Sequence, residues 1–346
     1  MAYYIDTFPG REITIKGKPF LYFGGTAYLG LQTDISFQEL FIANLRTYGT
    51  NYGASRKSNV RISIFGEAEA FLTRLVGSEG CTTLSSGYLA GQFVMQHFNR
   101  PEFQLFYAPN THSAMFGTKV KTYKTYTDLN TALRAHISAQ KNSVPVVFLD
   151  SIDFSGGNYP DFIGLKSLPL DQLILVIDDS HGIGVVGGDG GGIFRTIAAL
   201  RPRELVVCCS LGKGFAVQAG AVFGNKTRIG QLTDSEFFGG ASPASPAAMA
   251  TLVQAQNHYV EKRKILHRNI KLFLDQTHGA RNFHWMPGHP TFSYGNPPLT
   301  VRLEDKGIIV TDFSYPNEEG ENMSRIVLSA AHCEADIFAL TTVVNS

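Results

Sequence analysis

Apolar residues in the middle of the chain form short unbroken runs, separated by polar and glycine-rich segments. Three of these runs, rich in β-branched residues and bounded by turn residues, are residues 146–150, 173–178 and 205–209. Runs of this kind are typical of strands buried on both faces of a parallel sheet. Their alternation with helical segments predicts an α/β fold with a mostly parallel central sheet.

Apolar positions at helical spacing lie on both sides of this region. Ser36 is placed to cap a helix that runs on through Leu45, and a long amphipathic helix is predicted over about residues 244–277. Beyond it, short apolar runs predict the strands of a smaller α+β domain, at residues 300–303, 308–310 and 326–329.

The length of 346 residues fits one large domain and one smaller domain. We expect an N-terminal segment, residues 1–35, that packs with the small domain. Residues 36–250 are expected to form the large domain and residues 251–346 the small C-terminal domain.

Charge and hydropathy exclude some classes of partner. Lys and Arg total 30 and Asp and Glu total 29, without a basic block, so nucleic acid is not an expected partner. Apolar runs are too short to cross a bilayer, and residues 1–10 lack the pattern of a signal peptide. We therefore expect a cytoplasmic protein without membrane insertion.

Polar side chains follow two of the predicted strands at the point where each ends. Asp178 and His181 follow one strand, and Ser210 and Lys213 follow the next. Parallel sheets bind ligands at this edge. An amine, a carboxylate and an imidazole together suit pyridoxal 5′-phosphate (PLP), which needs a lysine and a carboxylate beside its pyridinium nitrogen. Residues 85–88, before an apolar helical stretch, offer a helix N-terminus for its phosphate.

Motifs spread along the chain resemble the α-oxoamine synthase family. They occur in the family's order and are GYLAGQ after Ser86, NTHSAMFG at Asn110, VIDDSHGIGVVG at Val176, CSLGKGFAVQAGAVFG at Cys209 and RIVLSAAH at Arg325. The resemblance covers nearly the whole chain and implies a fold-type I PLP-dependent transferase, with a large domain and a smaller C-terminal α+β domain. Within the family, the chain looks most similar to the 8-amino-7-oxononanoate synthase branch.

The resemblance implies roles for the matching positions around the cofactor ring. Lys213 would hold PLP as a Schiff base and later move a proton at the substrate Cα. Asp178 would pair with the pyridinium nitrogen, and His181 would donate to the phenolic oxygen. His112 would stack on the ring, and Asp150 stands where the family usually has Glu.

The family pattern also implies contacts to the cofactor phosphate and to the substrate. The phosphate would be held by hydroxyl groups and backbone amides of Ser86, Gly87, Tyr88 and Ser210. Ser242 would reach this site from a second subunit, since the family forms homodimers with shared active sites. Arg325 would bind the carboxylate of the amino acid, a task that suits its two-pronged guanidinium. No metal is implied.

The implied reaction joins alanine, glycine or serine to an acyl-CoA or another acyl thioester, with loss of carbon dioxide. Thr26 and Ala27 replace the family's usual Asn-Asp, and Gly91 replaces a common Asn, so these departures leave the substrate open. An aminotransferase or another PLP reaction is one alternative. A catalytically inactive homologue that acts as a binding subunit is an alternative of another class.

Two further motifs match unrelated enzyme classes. Residues 182–187 fit the dinucleotide fingerprint G-x-G-x-x-G, but they do not directly follow a strand and the glycines after them are a poor helix start. Residues 210–213 fit the S-x-x-K motif of penicillin-binding enzymes, but the companion motifs S-D-N and K-T-G do not occur. Neither class is favoured.

Overall fold

A computed structural model describes residues 2–117, 120–139, 142–154, 156–314 and 322–346, with side chains from 323 in the last range. The chain divides into two compact units. The large unit comprises Leu40–Asp153 and Gly157–Ala255. The small unit comprises Met1–Glu39, Phe154–Gly156 and Gln256–Ser346.

Strands and helices alternate through much of the chain. The strands are β1 (Glu12–Ile15), β2 (Lys18–Phe23), β3 (Gly80–Leu84), β4 (Phe103–Tyr107), β5 (Val144–Asp150), β6 (Ile174–Asp178), β7 (Glu204–Ser210), β8 (Gly220–Gly224), β9 (His284–Trp285), β10 (Thr291–Tyr294), β11 (Ile308–Ser314) and β12 (Asn322–Val327). The helices are α1 (Ile35–Tyr48), α2 (Ile64–Val76), α3 (Gly87–Phe98), α4 (Tyr126–Ser138), α5 (Ile163–Lys166), α6 (Phe194–Ala198), α7 (Lys226–Thr233), α8 (Glu236–Gly240), α9 (Pro246–Gln254), α10 (Gln256–Gln276), α11 (Pro297–Asp305) and α12 (Glu334–Val344).

The large unit is built on a six-stranded sheet with the order β3-β8-β7-β6-β5-β4. Strands β4 to β7 are parallel to one another, and β8 runs antiparallel to both of its neighbours. The interiors of β5, β6 and β7 are buried, as expected for strands covered on both faces. The predicted mostly parallel α/β fold is confirmed. Side chains that pack in its core include Phe93, Phe98, Val146, Phe148, Val176, Val206 and Val222.

The small unit has its own six-stranded sheet, with the order β1-β2-β11-β12-β10-β9. The pairing of β2 with β11 is parallel and the other pairings are antiparallel. The strand predicted at residues 300–303 is wrong, because these residues lie in α11. Prolines in its first turn favour this helix start, and the buried Leu299 and Leu303 are one helical turn apart.

Two details of the predicted helices also differ. Asp34, rather than Ser36, caps α1: the backbone N–H of Phe37 donates to Asp34 Oδ1 at 3.0 Å. The single helix predicted over residues 244–277 is two helices, since Ala255 leaves helical geometry between α9 and α10. The pattern of burial changes at this break. Helix α9 is almost wholly buried, whereas α10 is amphipathic with one buried face.

No helix in the described part of the chain is long and apolar enough to cross a membrane.

Candidate active site

The carboxyl ends of β5, β6 and β7 lie level with one another. Asp150 at the end of β5 is paired in register with Asp178 at the end of β6, and Asp178 is paired with Cys208 of β7. Ser210 ends β7 two residues later. The strand register therefore gathers the predicted polar residues at one edge of the sheet, where open parallel sheets bind their ligands.

Lys213 and His181 are in direct contact at this edge. Lys213 Nζ lies 2.6 Å from His181 Nε2. Burial lowers the pKa of Lys213, and the carboxyl groups of Asp178 and Asp150 oppose this shift. The desolvation of the ammonium group favours the neutral amine, which is the form that attacks a carbonyl carbon.

Asp150 and Asp178 form a pair of neighbouring carboxyl groups. Burial raises the pKa of Asp150 well above its usual value, and the charge of Asp178 adds to this shift. The backbone N–H of His112 donates to Asp150 Oδ2 at 2.6 Å. Asp178 Oδ1 accepts from the backbone N–H of Ser180 at 2.8 Å. Both carboxyl groups thus lie at the edge of the sheet that holds Lys213, where a carboxylate can face a cation.

A backbone hydrogen bond selects one tautomer of the neutral His112 ring. Its Nδ1 accepts from the backbone N–H of Ala114 at 3.1 Å, so the hydrogen of the neutral ring is on Nε2. Burial lowers the pKa of His112, Lys213 lowers it further, and Asp178 opposes the shift. An uncharged imidazole at this place can lie against an aromatic cofactor ring without repelling its cationic nitrogen.

The N-terminus of α3 adjoins the end of β7. Ser86 caps the helix by accepting from the backbone N–H of Leu89 at 3.1 Å. The first intrahelical bond is donated by Ala90, so the N–H groups of Gly87 and Tyr88 lie at the open end of the helix. A Cβ on Gly87 would be 2.5 Å from Ser210 Cβ. Only glycine permits this approach, which joins a hydroxyl group to a helix N-terminus in a cradle suited to phosphate.

Ser180 links the two sides of this site. Its Oγ accepts from the backbone N–H of Ser210 at 2.8 Å, and Ser210 Oγ accepts from that of Gly212 at 3.3 Å. The loop after β6, which carries His181, is thereby tied to the loop after β7, which carries Lys213.

Sequence reasoning missed the role of Asp179, which is 1% exposed. Its carboxyl group accepts from Ser151 Oγ at 2.6 Å and from the backbone N–H of Ile193 at 3.0 Å. A Cβ on Gly182 or Gly192 would be within 2.1 Å of an Asp179 oxygen. The sequence signal that could have identified Asp179 is an acidic residue after a buried strand, followed by a glycine-rich segment.

The same packing explains the dinucleotide-like motif at residues 182–187. Its glycines provide close backbone contacts: Gly184, with φ of 81°, packs against Gly214, and Gly187, with φ of 75°, packs against Gly192. A short 3₁₀ turn at Gly188–Gly190 follows, and no α-helix starts there. The fingerprint therefore lacks the helix that a dinucleotide site requires.

Gln92 is a second residue that sequence reasoning missed. Its Nε2 donates to the carbonyl oxygens of Ala114 and Phe116 at 2.8 and 3.2 Å, which holds the loop after His112 on α3. Gly91 allows this approach, since a Cβ there would be 2.9 Å from the Ala114 oxygen. Gly91, which replaces the Asn common in the family, therefore lies where α3 packs closely on this loop.

Ser242 and Arg325 are the remaining two predicted site residues. Ser242 is exposed, and its carbonyl oxygen accepts from the backbone N–H of Ser85 at 3.2 Å, next to the cap of α3. Arg325 belongs to the small unit, on β12, and is not part of the geometry of the large unit.

The sequence matches no protein-family model, but it is similar to curated proteins along nearly its full length. The 8-amino-7-oxononanoate synthase of Petrotoga mobilis is 25% identical over 362 residues, which cover 97% of this chain and 91% of that protein. The 8-amino-7-oxononanoate synthase of Vibrio cholerae serotype O1 is 26% identical, and the match covers 97% of this chain and 90% of that protein. The chain is therefore similar, along nearly its full length, to 8-amino-7-oxononanoate synthases.

Solved structures show the same fold. A serine palmitoyltransferase from S. paucimobilis with bound PLP–myriocin superimposes with a TM-score of 0.82 at 17% identity, covering 99% of this chain and 90% of that one. The 8-amino-7-oxononanoate synthase of Francisella tularensis superimposes with a TM-score of 0.68 at 18% identity. The match covers 94% of this chain and 98% of that one. The predicted resemblance to α-oxoamine synthases, the fold-type I architecture and the similarity to PLP-dependent transferases are confirmed.

Proposed function

We propose that this α-oxoamine synthase condenses a small amino acid with an acyl thioester and releases carbon dioxide, most like an 8-amino-7-oxononanoate synthase. The observation that carries the proposal is the contact of Lys213 with His181 beside two carboxyl groups at the sheet edge. The amine, the imidazole and the two carboxyl groups lie at the carboxyl ends of neighbouring strands within the large unit, which supports the proposal.

The residues present fit PLP. When bound, PLP stabilises negative charge at the Cα of an attached amino acid. Lys213 would hold the cofactor covalently, Asp178 would face its pyridinium nitrogen, and His181 and His112 would contact its ring. The phosphate would lie in the cradle formed by Ser86, Gly87, Tyr88 and Ser210. The close approach supports this assignment, because a Cβ on Gly87 would be 2.5 Å from Ser210 Cβ and would separate the helix N-terminus from Ser210.

The chain's own residues supply the proton transfers and the positioning. Lys213 Nζ, whose neutral form is favoured by burial, would take the proton from Cα of the amino acid and return it after decarboxylation. His181 Nε2 holds the amine in place between these events. Asp150 accepts from the backbone N–H of His112 and so fixes the loop that carries this ring, while Asp178 would face the ring nitrogen of the cofactor.

The proposed substrates are those implied by the similar curated proteins. The curated proteins that match along the chain are named 8-amino-7-oxononanoate synthases. The resemblance to this branch implies a reaction that joins alanine to a pimeloyl thioester. Alanine is therefore the first amino acid to test, with glycine and serine beside it. We further propose a cytoplasmic homodimer, with Ser242 near the partner's cofactor and Arg325 on the substrate carboxylate.

The visible absorption spectrum of the purified protein tests the core of this proposal. We expect a band from protein-bound PLP that disappears or shifts in Lys213→Ala and persists in Lys226→Ala, a matched change of an exposed lysine. The amino acid that perturbs the band is the first substrate. A protein that takes up no added PLP would overturn the cofactor role of Lys213 and favour the binding-subunit alternative.

A second assay separates condensation from other PLP reactions. Acyl-CoA added with the active amino acid should release free CoA thiol and carbon dioxide in equal amounts. Transfer of the amino group to a keto acid without thiol release would instead indicate an aminotransferase.

A further inference from the structure

Arg325 is a cation in the middle of the small unit's sheet. It lies on β12 and pairs in register with Ser293 of β10 and Thr311 of β11. Among the described residues, no carboxylate lies within 4.0 Å of its guanidinium nitrogens. One nitrogen donates to the thioether of Met323 at 3.0 Å, a weak acceptor. A partly buried guanidinium with so weak a partner is suited to receive an anion.

The ring of Phe154 covers one face of this guanidinium. Arg325 Cζ lies 3.8 Å from the Phe154 ring centroid, which is a close cation–π contact. Burial lowers the pKa of Arg325, consistent with a group that has lost part of its hydration. The covered face has no N–H groups, because all guanidinium donors lie in its plane.

Phe154 is held in place by more than this contact. Its φ of 57° is in the left-handed region, which is unfavourable for a bulky side chain. Its ring also meets the buried His289 edge-on, with centroids 5.9 Å apart. Phe154 and Gly156 belong to the small unit, although the residues before and after them in the chain belong to the large unit. Such strain persists only where the surroundings impose it, and it commonly marks ligand sites.

We propose that Phe154 is a positioning residue that determines specificity for carboxylate-bearing substrates. By covering one face of Arg325, the ring holds the guanidinium flat and removes water, and leaves its N–H edge to bind the substrate carboxylate in two parallel hydrogen bonds. This inference rests on the proposed function, since the carboxylate is that of the amino acid.

The test compares alanine with ethylamine, which is alanine without its carboxylate. Each is titrated into the PLP-loaded protein, and its dissociation constant is read from the visible band. In Phe154→Leu we expect alanine to bind about fivefold more weakly, which corresponds to ~1 kcal/mol, with ethylamine unchanged. Phe154→Tyr keeps the ring and should bind alanine as the parent does. Phe338→Leu, a change of an exposed phenylalanine in the same unit, is the matched control.

A double-mutant cycle ties the effect to Arg325. Arg325→Lys should itself reduce the preference for alanine over ethylamine, because lysine cannot form two parallel hydrogen bonds. Adding Phe154→Leu to it should change little further, since the ring would have no guanidinium to hold. Equal weakening of alanine and ethylamine in Phe154→Leu, or additive effects of the two changes, would overturn the proposal.

Chemical labelling gives a readout that does not depend on the visible band. Phenylglyoxal should modify Arg325 faster in Phe154→Leu than in the parent protein, measured by peptide mass spectrometry, and propionate should slow the reaction. Unchanged labelling would contradict the covering role of the ring. If neither alanine nor ethylamine perturbs the band of the parent protein while labelling behaves as expected, the proposed function fails and the Phe154–Arg325 anion site remains.

Discussion

Asp179 offers a sharp test of how burial controls charge near the active site. Its carboxyl group is enclosed by the loop after β6, and burial raises its pKa from 3.8 to about 7, although the hydrogen bonds from Ser151 and Ile193 oppose the shift. In the Asp179→Asn variant, the amide oxygen can still accept from Ile193 N–H. The amide nitrogen can donate to Ser151 Oγ, so the packing is kept while the ionisable group is lost.

The sign of the pH effect follows from linkage. The folded state binds the Asp179 proton more tightly than the unfolded state, so this group contributes stability at low pH that is lost as pH rises through about 7. About two pH units separate pH 5 from the folded pKa. At ~1.36 kcal/mol per unit, the free energy of unfolding falls by ~2.7 kcal/mol over this range. The asparagine variant lacks this dependence. It should therefore gain about 2–3 kcal/mol relative to the parent protein between about pH 5 and pH 8.

Urea unfolding followed by circular dichroism at both pH values measures this difference. Asp189→Asn, in the same loop but exposed, is the matched control and should follow the parent protein at each pH. A difference in unfolding free energy between Asp179→Asn and the parent protein that is the same at both pH values would refute the reasoning. Asp179 would then be ionised in the folded state throughout the range.

Three further changes test the site at separate points. Gly87→Ala places a Cβ against Ser210 and should cost about 1–3 kcal/mol in unfolding free energy and weaken PLP uptake, measured by denaturation and by the visible band. Gln92→Leu removes two hydrogen bonds to the loop after His112 and should cost about 1–3 kcal/mol, with faster hydrogen exchange in that loop. Asp178→Asn should preserve the fold but slow turnover on the order of 10²–10³-fold in a thiol-release assay, because an amide cannot balance the ring's charge.

Much of the fold could be predicted because its strands carry a strong local signal. Strands buried on both faces need continuous apolar runs, and β5, β6 and β7 have them. The short segment at residues 300–303 carried no such signal. Its alternation of apolar and polar residues suits either a strand or one turn of helix, and the prolines before it decide for α11.

The grouping of the predicted site residues could be inferred from the sequence where those residues end predicted strands. Because Asp150, Asp178 and Ser210 end parallel strands, their grouping at one edge follows from topology. The capping of α3 by Ser86 follows from the local sequence as well. The roles of these residues toward PLP remain predictions.

The sequence by itself determined the order of strands and helices, the polar residues at the strand ends and the family motifs, because each of these depends on neighbours along the chain. Only the tertiary structure decided the environment of Asp179, the cradle between Gly87 and Ser210 and the contact of Phe154 with Arg325. The physical reason is that burial, pKa and close packing depend on groups far apart in sequence, whose approach is set by the folding of the whole unit.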